Sequence, residues 1–177
     1  MYNSYSEFLS LVNRRYSCRS YSSQPVTKSD LLGIIETAQL APSACNRQPW
    51  IFVIAQSEEK RQAIINSYER DWIKTAPAFI VACGKHEEAW HRGYDGKDHT
   101  DVDLSIAIEH ICLAASSMGL ATCWICNFNP EILCEALNIP DGVEPIAIIP
   151  IGYPAEDCNI PVKKRKSVEE IIKWESF

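Results

Sequence analysis

Residues 103–126, DLSIAIEHICLAASSMGLATCWIC, form the most clearly patterned stretch of the chain. Leu104, Ala107, Ile108, Ile111, Ala115 and Met118 recur at steps of three and four, the spacing of one helical face. A helix is predicted over about 102–118, with Gly119 as its C-terminal cap. The period then changes: ATCWIC, residues 121–126, is short, apolar and rich in strand formers. An apolar helical stripe running directly into an apolar strand predicts a helix layer packed on a sheet.

The flanks extend that pattern. Downstream, PEILCEAL (130–137) opens on proline, which fits a first helical turn, and PIAIIPIGY (145–153) reads as a strand. The tail VKKRKSVEEIIKW (162–174) is a basic knot followed by a helix that Ser167 and Glu170 would cap. Upstream, AFIVACG (78–84) is a strand, residues 57–70 a charged helix, and WIFVIA (50–55) a buried strand. Thr27 and Asp30 have capping-box spacing before Leu31, Ile34, Ile35 and Ala38, in a helix that ends before Pro42. YSEFLSLVNRR (5–15) predicts an opening helix with Phe8, Leu11 and Val12 on one face. The order α-α-β-α-β-α-β-α-β-α predicts a three-layer α+β domain spanning residues 1–177.

Composition narrows the function classes. The chain has 177 residues, 46% of them apolar and 23% charged, and a net charge of -6. No global positive field draws it to nucleic acid or to an anionic membrane. The N-terminus is polar and lacks the basic start and apolar run of a signal peptide, and no apolar run is long enough to span a bilayer. Eight scattered cysteines with an ample apolar core read as reduced thiols, which predicts a cytoplasmic protein.

Four polar clusters stand outside the core pattern. In RRYSCRSY (14–21), Arg15, Ser17 and Arg19 alternate, so an extended backbone puts all three on one face. Two guanidiniums flanking a hydroxyl match a phosphate, although the same residues also describe a solvated helix end. Lys163, Lys164, Arg165 and Lys166 would supply further cations to the same anion, or form a plain solvated surface. In APSACNRQPW (41–50), Asn46 and Gln48 each carry donors and an acceptor, as reading an imide-like edge requires; the bland alternative is an ordinary turn. In CWICNFNP (123–130) a strand ends, leaving the backbone amides of Cys126 and Asn127 free to bond a ligand.

Cys123 and Cys126 have thiol-redox spacing, but in a strand they point to opposite faces with Cα atoms about 10 Å apart, beyond disulfide reach. Zinc is disfavoured without a second such pair. The aspartates and His99 of YDGKDHTDVD lack the order of a calcium loop. No metal site is expected.

Taken together and in order, RYSCR, PSACNRQPW, DLSIAIEHICLAASSMGLATCWI, IGYP and KKR resemble the nitroreductase family of flavin mononucleotide (FMN) oxidoreductases. The resemblance implies a mainly antiparallel sheet, a homodimer and two FMN sites at the subunit interface. It implies that Arg15 and Ser17, joined by Lys163 and Arg165, grip the FMN phosphate and that Arg19 lies at the flavin N1/O2 edge. Pro42, Ser43, Ala44, Asn46 and Gln48 correspond to the ring-contacting segment, reaching across from the partner subunit. The backbone at Cys126 and Asn127 corresponds to donors toward N5 and O4, at positions where the family commonly has glycine and a small residue. The implied activity is NAD(P)H-driven, ping-pong reduction of a nitroaromatic, quinone or similar electron-poor acceptor, with the cofactor carrying the chemistry and no catalytic side chain. No inserted lid is present, so neither deiodinase nor flavin-cleaving activity is expected. Two other readings compete: a flavin-binding sensor or storage protein without turnover, and a thiol oxidoreductase using Cys123 and Cys126.

Overall fold

Strand β2, Ala78–Gly84, is buried at every position, and the two sets of alternating side chains define the architecture. A computed structural model, describing residues 4–177, places Ala78, Ile80 and Ala82 in one core cluster and Phe79, Val81 and Cys83 in another. Strand β4, Glu144–Gly152, divides likewise, with Ala147, Ile149 and Ile151 on the first face and Ile148 on the second. The first face is covered by α2 (Lys28–Gln39) and α4 (Thr100–Ser117) through Leu31, Ile34, Leu104, Ile108 and Ile111. The second is covered by α3 (Glu58–Asn66), α5 (Pro130–Leu137) and the turn holding Ile73. This is the three-layer α+β arrangement that the element order predicts. Each fully buried aliphatic side chain contributes about 1.5–3 kcal/mol to holding the layers together.

With β1 (Trp50–Ala55) and β3 (Ala121–Thr122), the described residues form a four-stranded sheet of order β1-β2-β4-β3, antiparallel at every pair. Among the described residues α1 (Ser4–Arg14) is the first element and α6 (Val168–Ile171) the last. Both predicted caps form: Thr27 and Asp30 make a complete capping box on α2, as do Ser167 and Glu170 on α6.

Several expectations need correction. The strand predicted over 121–126 holds a regular ladder only at Ala121 and Thr122. Cys123 N–H still donates to the Pro150 carbonyl at 3.4 Å, but Pro150 has no N–H to return, so the ladder lapses until Ile125 meets Ile148. Strand β1 is an edge strand with Ile51 and Ile54 exposed, not a buried one. The helix predicted over 57–70 ends at Asn66, and Asp71–Thr75 is a separate short 3₁₀ turn. Met118 is exposed past the end of the α4 stripe. Phe8 and Val12 of α1 are also exposed, so the predicted apolar face of α1 is only partly covered, at Leu11, by the described residues.

Gly152 positions the sheet edge. A Cβ there would stand 2.6 Å from Pro77 Cδ and 3.1 Å from Tyr21, so glycine lets the end of β4 pass under a rigid proline ring.

Candidate functional site

The segment after α1 is recruited to the sheet edge. Cys18 N–H donates to the Thr122 carbonyl at 2.9 Å, Ser17 bridges Thr122 in parallel, and Tyr21 bridges Pro154. The backbone is therefore extended, and its alternation gathers Arg15, Ser17 and Arg19 around Cys123. Burial raises the Cys123 thiol pKa, while the Arg19 charge, a Ser17 hydrogen bond and the Arg15 charge oppose that rise. Arg15 Nε pairs with Glu109 Oε1 on α4 at 3.2 Å, and the Arg19 guanidinium lies 5.9 Å from the centre of the Trp72 ring.

The tail returns to the same place. Lys163 Nζ donates to the carbonyls of Val12 and Asn13 at 2.8 and 2.6 Å, in the last turn of α1, where the helix dipole favours a cation. Burial and the neighbouring charges of Arg15 and Arg165 hold the Lys163 ammonium below its usual pKa. Arg165 is held by its own backbone, Nη1 donating to the Lys164 carbonyl at 3.0 Å. Cations from both ends of the chain thus crowd one region, and an anion placed there would relieve their repulsion. Beside them is a cavity of about 320 Å³ lined by Ser17, Arg19, Ser20, Cys158, Asn159 and Pro161.

The loop carrying Pro42, Ser43, Ala44, Asn46 and Gln48 is built differently. Cys45, Asn46 and Gln48 all have left-handed φ, at 53°, 54° and 50°, although none is glycine. Backbone of this kind costs about 1–3 kcal/mol per residue and persists only where its surroundings impose it. Ser43 Oγ accepts from Gln48 N–H at 2.9 Å, and Gln48 Nε2 donates to Asn46 Oδ1 at 3.1 Å. Arg47 Nη1 ties the loop to the Ala89 carbonyl at 2.9 Å, and Asp103 Oδ1 accepts from Ala44 N–H at 3.0 Å. Pro42 is exposed at the loop's start. None of these loop residues lines the cavity beside Ser17 and Arg19.

Cys126 and Asn127 are exposed, and neither backbone N–H finds an acceptor among the described residues. Trp124 Nε1 donates to Cys126 Sγ at 3.1 Å, orienting that sulfur. Asn127 lines a polar cavity of about 590 Å³ together with Tyr68, Arg70, Phe128 and Asn129. Cys123 is buried and Cys126 exposed, so the two thiols face different surroundings.

The sequence reading gives neither carboxylate a place in the site: Asp103 reads only as one of the aspartates of YDGKDHTDVD, and Glu109 sits on a helix whose apolar stripe explains it. The signal for Asp103 was a carboxylate beside that stripe. It is 2% exposed, and its Oδ2 has no hydrogen-bond partner among the described residues. A second polar group was also missed: His86 bridges Asp98 and Glu144 with two 2.6 Å contacts. The described residues contain no group of three or more His, Cys, Asp and Glu side chains able to hold a metal, and no helix long and apolar enough to cross a membrane.

The nitroreductase family profile matches residues 12–69 and 66–153, two overlapping segments that together cover most of the chain. The chain belongs to the nitroreductase family. Among relatives, an oxygen-insensitive NADPH nitroreductase of Helicobacter pylori is 30% identical over 203 residues, covering 93% of this chain and 94% of its own. An FMN reductase [NAD(P)H] of Bacillus subtilis is 33% identical over 163 residues, covering 83% of this chain and 65% of its own. A solved nitroreductase family protein of Clostridium difficile superposes with TM-score 0.89 at 36% identity, covering 96% of this chain and 99% of that one. The nitroreductase fold is therefore this chain's fold.

Proposed function

We propose that the protein is an FMN-dependent NAD(P)H oxidoreductase, a single nitroreductase-like domain acting as a homodimer. The observation that carries this reading is Lys163 Nζ seated on the Val12 and Asn13 carbonyls, at the helix end that leads into Arg15 and Ser17. Arg15, Ser17, Lys163 and Arg165 bind the phosphate, the guanidiniums and ammonium neutralising it and the hydroxyl completing its hydrogen bonds. When bound, FMN supplies hydride transfer from NAD(P)H and onward reduction of an electron-poor acceptor, a nitroaromatic or quinone, by a ping-pong route. Arg19 would lie at the N1/O2 edge, where a guanidinium favours negative charge. The unpaired amides of Cys126 and Asn127 would donate to N5 and O4. Pro42, Ser43, Ala44, Asn46 and Gln48 approach the ring from the partner subunit, their loop held in shape by Asp103.

Exposed apolar surface supports the dimer. Phe8 is 54% and Trp174 81% exposed, and an apolar groove of about 450 Å³ runs between α1 and α4, lined by Phe8, Leu11, Leu113 and Ala114. Apolar surface of this kind on a helix face and a tail fits a second copy of the chain. Eight free thiols fit the reducing cytoplasm as the site of action.

An anaerobic visible spectrum tests the activity. Protein loaded with FMN should show flavin bands that bleach with NADPH or NADH and return on adding a quinone. Bands that persist with both nicotinamides would leave a flavin-binding protein without turnover. In gel filtration at micromolar concentration, FMN should elute with a dimer; a monomer retaining FMN would overturn the shared site.

A further inference from the structure

We propose that Cys18 and Cys158 form a reversible oxidation site that a hydroperoxide closes to a disulfide. Their sulfurs stand 3.5 Å apart although 140 residues separate them in sequence, and the Tyr16 hydroxyl lies 3.5 Å from the same Cys158 sulfur. Both are free thiols.

The backbone builds this approach. Tyr21 pairs with Pro154, Ala155 N–H donates to the Ser20 carbonyl at 3.1 Å, and Cys158 N–H closes a turn onto the Ala155 carbonyl at 3.0 Å. The turn brings Cys158 back over the extended segment. Strand alternation then separates Tyr16 and Cys18 from Arg15, Ser17 and Arg19, so one short segment presents sulfur and phenol on one face and cations on the other.

The two thiols are unequal. Cys18 is fully buried, and burial pushes its thiol up to about 11. Cys158 is half-buried and lines the open cavity beside Ser17 and Arg19. Cys158 is therefore the thiol that a peroxide reaches, and Cys18 the one that resolves the product. In the first step the peroxide O–O bond breaks and an S–O bond forms on Cys158, whose sulfur loses two electrons; the Cys158 thiol proton goes to the other peroxide oxygen, which leaves as an alcohol or water. In the second, Cys18 sulfur attacks the sulfenic sulfur; the S–S bond forms, the S–O bond breaks, and hydroxide leaves as water with the Cys18 proton. Contracting 3.5 Å to the bond length of about 2.05 Å needs about 1.5 Å of sulfur movement, within reach of a side-chain rotation on the 155–158 turn.

The link would tie the segment leading to Lys163 and Arg165 onto the strand bearing Arg15 and Ser17, slowing FMN release. That consequence rests on the flavin reading above; the disulfide does not.

Full-length protein loaded with FMN is treated with graded hydrogen peroxide, then denatured for thiol counting and peptide mass spectrometry without reductant. Two of the eight thiols should disappear, a Cys18–Cys158 linked peptide should appear, and dithiothreitol should reverse both. Cys158→Ser should abolish the link, and Cys18→Ser should leave a sulfenic acid at Cys158 that dimedone traps. Eight surviving thiols, a link between other cysteines, or Cys158 oxidised to sulfinic acid with Cys18 intact would overturn the site. On dilution, FMN fluorescence should recover several-fold more slowly from the linked form. An unchanged release rate with the link formed would remove the effect on the flavin and leave the disulfide standing.

Discussion

The 43–48 loop carries its cost in the backbone, whereas the 15–19 segment and the tail that meets it carry theirs in charge. In the loop, three non-glycine residues hold left-handed φ, and the anchors are hydrogen bonds, Asp103 on the Ala44 N–H and Arg47 on the Ala89 carbonyl. In the segment that meets the tail, the backbone is extended on the sheet edge and the cost falls on the cations: burial, and then the charges of Arg15 and Arg165, hold the Lys163 ammonium below its usual pKa. The difference teaches how each half must answer to change. A region held by geometry should ignore salt and depend on its anchor, and a region held by charge should ignore small steric changes and respond to ionic strength.

Arg15→Ala should show the largest effect. Loss of a charged hydrogen bond to the phosphate costs about 1.5–3 kcal/mol, or about 10- to 150-fold in FMN affinity. Fluorescence titration should find that penalty shrinking as salt rises from 50 mM to 500 mM, while a penalty independent of salt would break the contrast.

Asp103→Ala leaves the Ala44 N–H without its acceptor. FMN affinity should fall about fivefold, close to 1 kcal/mol, equally at both salt concentrations. Asp103→Asn, which keeps a carbonyl acceptor, should restore most of it. If Asn behaves like Ala, charge rather than geometry is what Asp103 supplies.

Cys45→Gly sharpens the comparison from the other side. Glycine adopts the left-handed φ freely but loses more entropy on folding, so the net gain is about 0.5 kcal/mol, or 1–2 °C in Tm. A fall in Tm would mean that the loop is not strained at Cys45.

The smallest effect belongs to a third region used by neither half. Hydrogen bonding to Asp98, and then to Glu144, raises the His86 pKa against some desolvation. Burial pushes the Asp98 carboxyl up, but hydrogen bonds from Thr100 and His86 outweigh it and hold the carboxyl down at about 2. Protonated His86 is favoured in the folded state, so its contribution is complete below the unfolded value of about 6.5 and is lost as pH rises through the raised folded value. The side chains are well exposed, so solvent screening limits this to about 0–1 kcal/mol. Urea midpoints should drop slightly across that window in the wild type and stay flat in His86→Gln, with FMN affinity unchanged in both.

The halves also differed in how far the sequence revealed them. Alternation in RYSCR is local, so an extended backbone sufficed to place Arg15, Ser17 and Arg19 together. Element order was equally legible, because Leu104 to Ala115 and AFIVACG carry distinct periods. Tertiary partners were not. Glu109 beneath Arg15, Asp103 beneath Ala44 and the Cys18–Cys158 approach join residues tens to more than a hundred positions apart. The shortening of β3 followed from Pro150 on the neighbouring strand, a fact visible only once the pairing was known. Left-handed φ at Cys45 and Gln48 had no glycine to announce it.

The central claim, that the two ends of the chain jointly grip a phosphate, is tested most directly by titrating protein stripped of flavin with FMN and with riboflavin. The two ligands share the ring and differ in the phosphate. With several charge-assisted hydrogen bonds at about 1.5–3 kcal/mol each, FMN should bind at least about 100-fold more tightly at 50 mM salt, and the gap should narrow at 500 mM. Equal affinities at both salt concentrations would mean that Arg15, Ser17, Lys163 and Arg165 hold no phosphate.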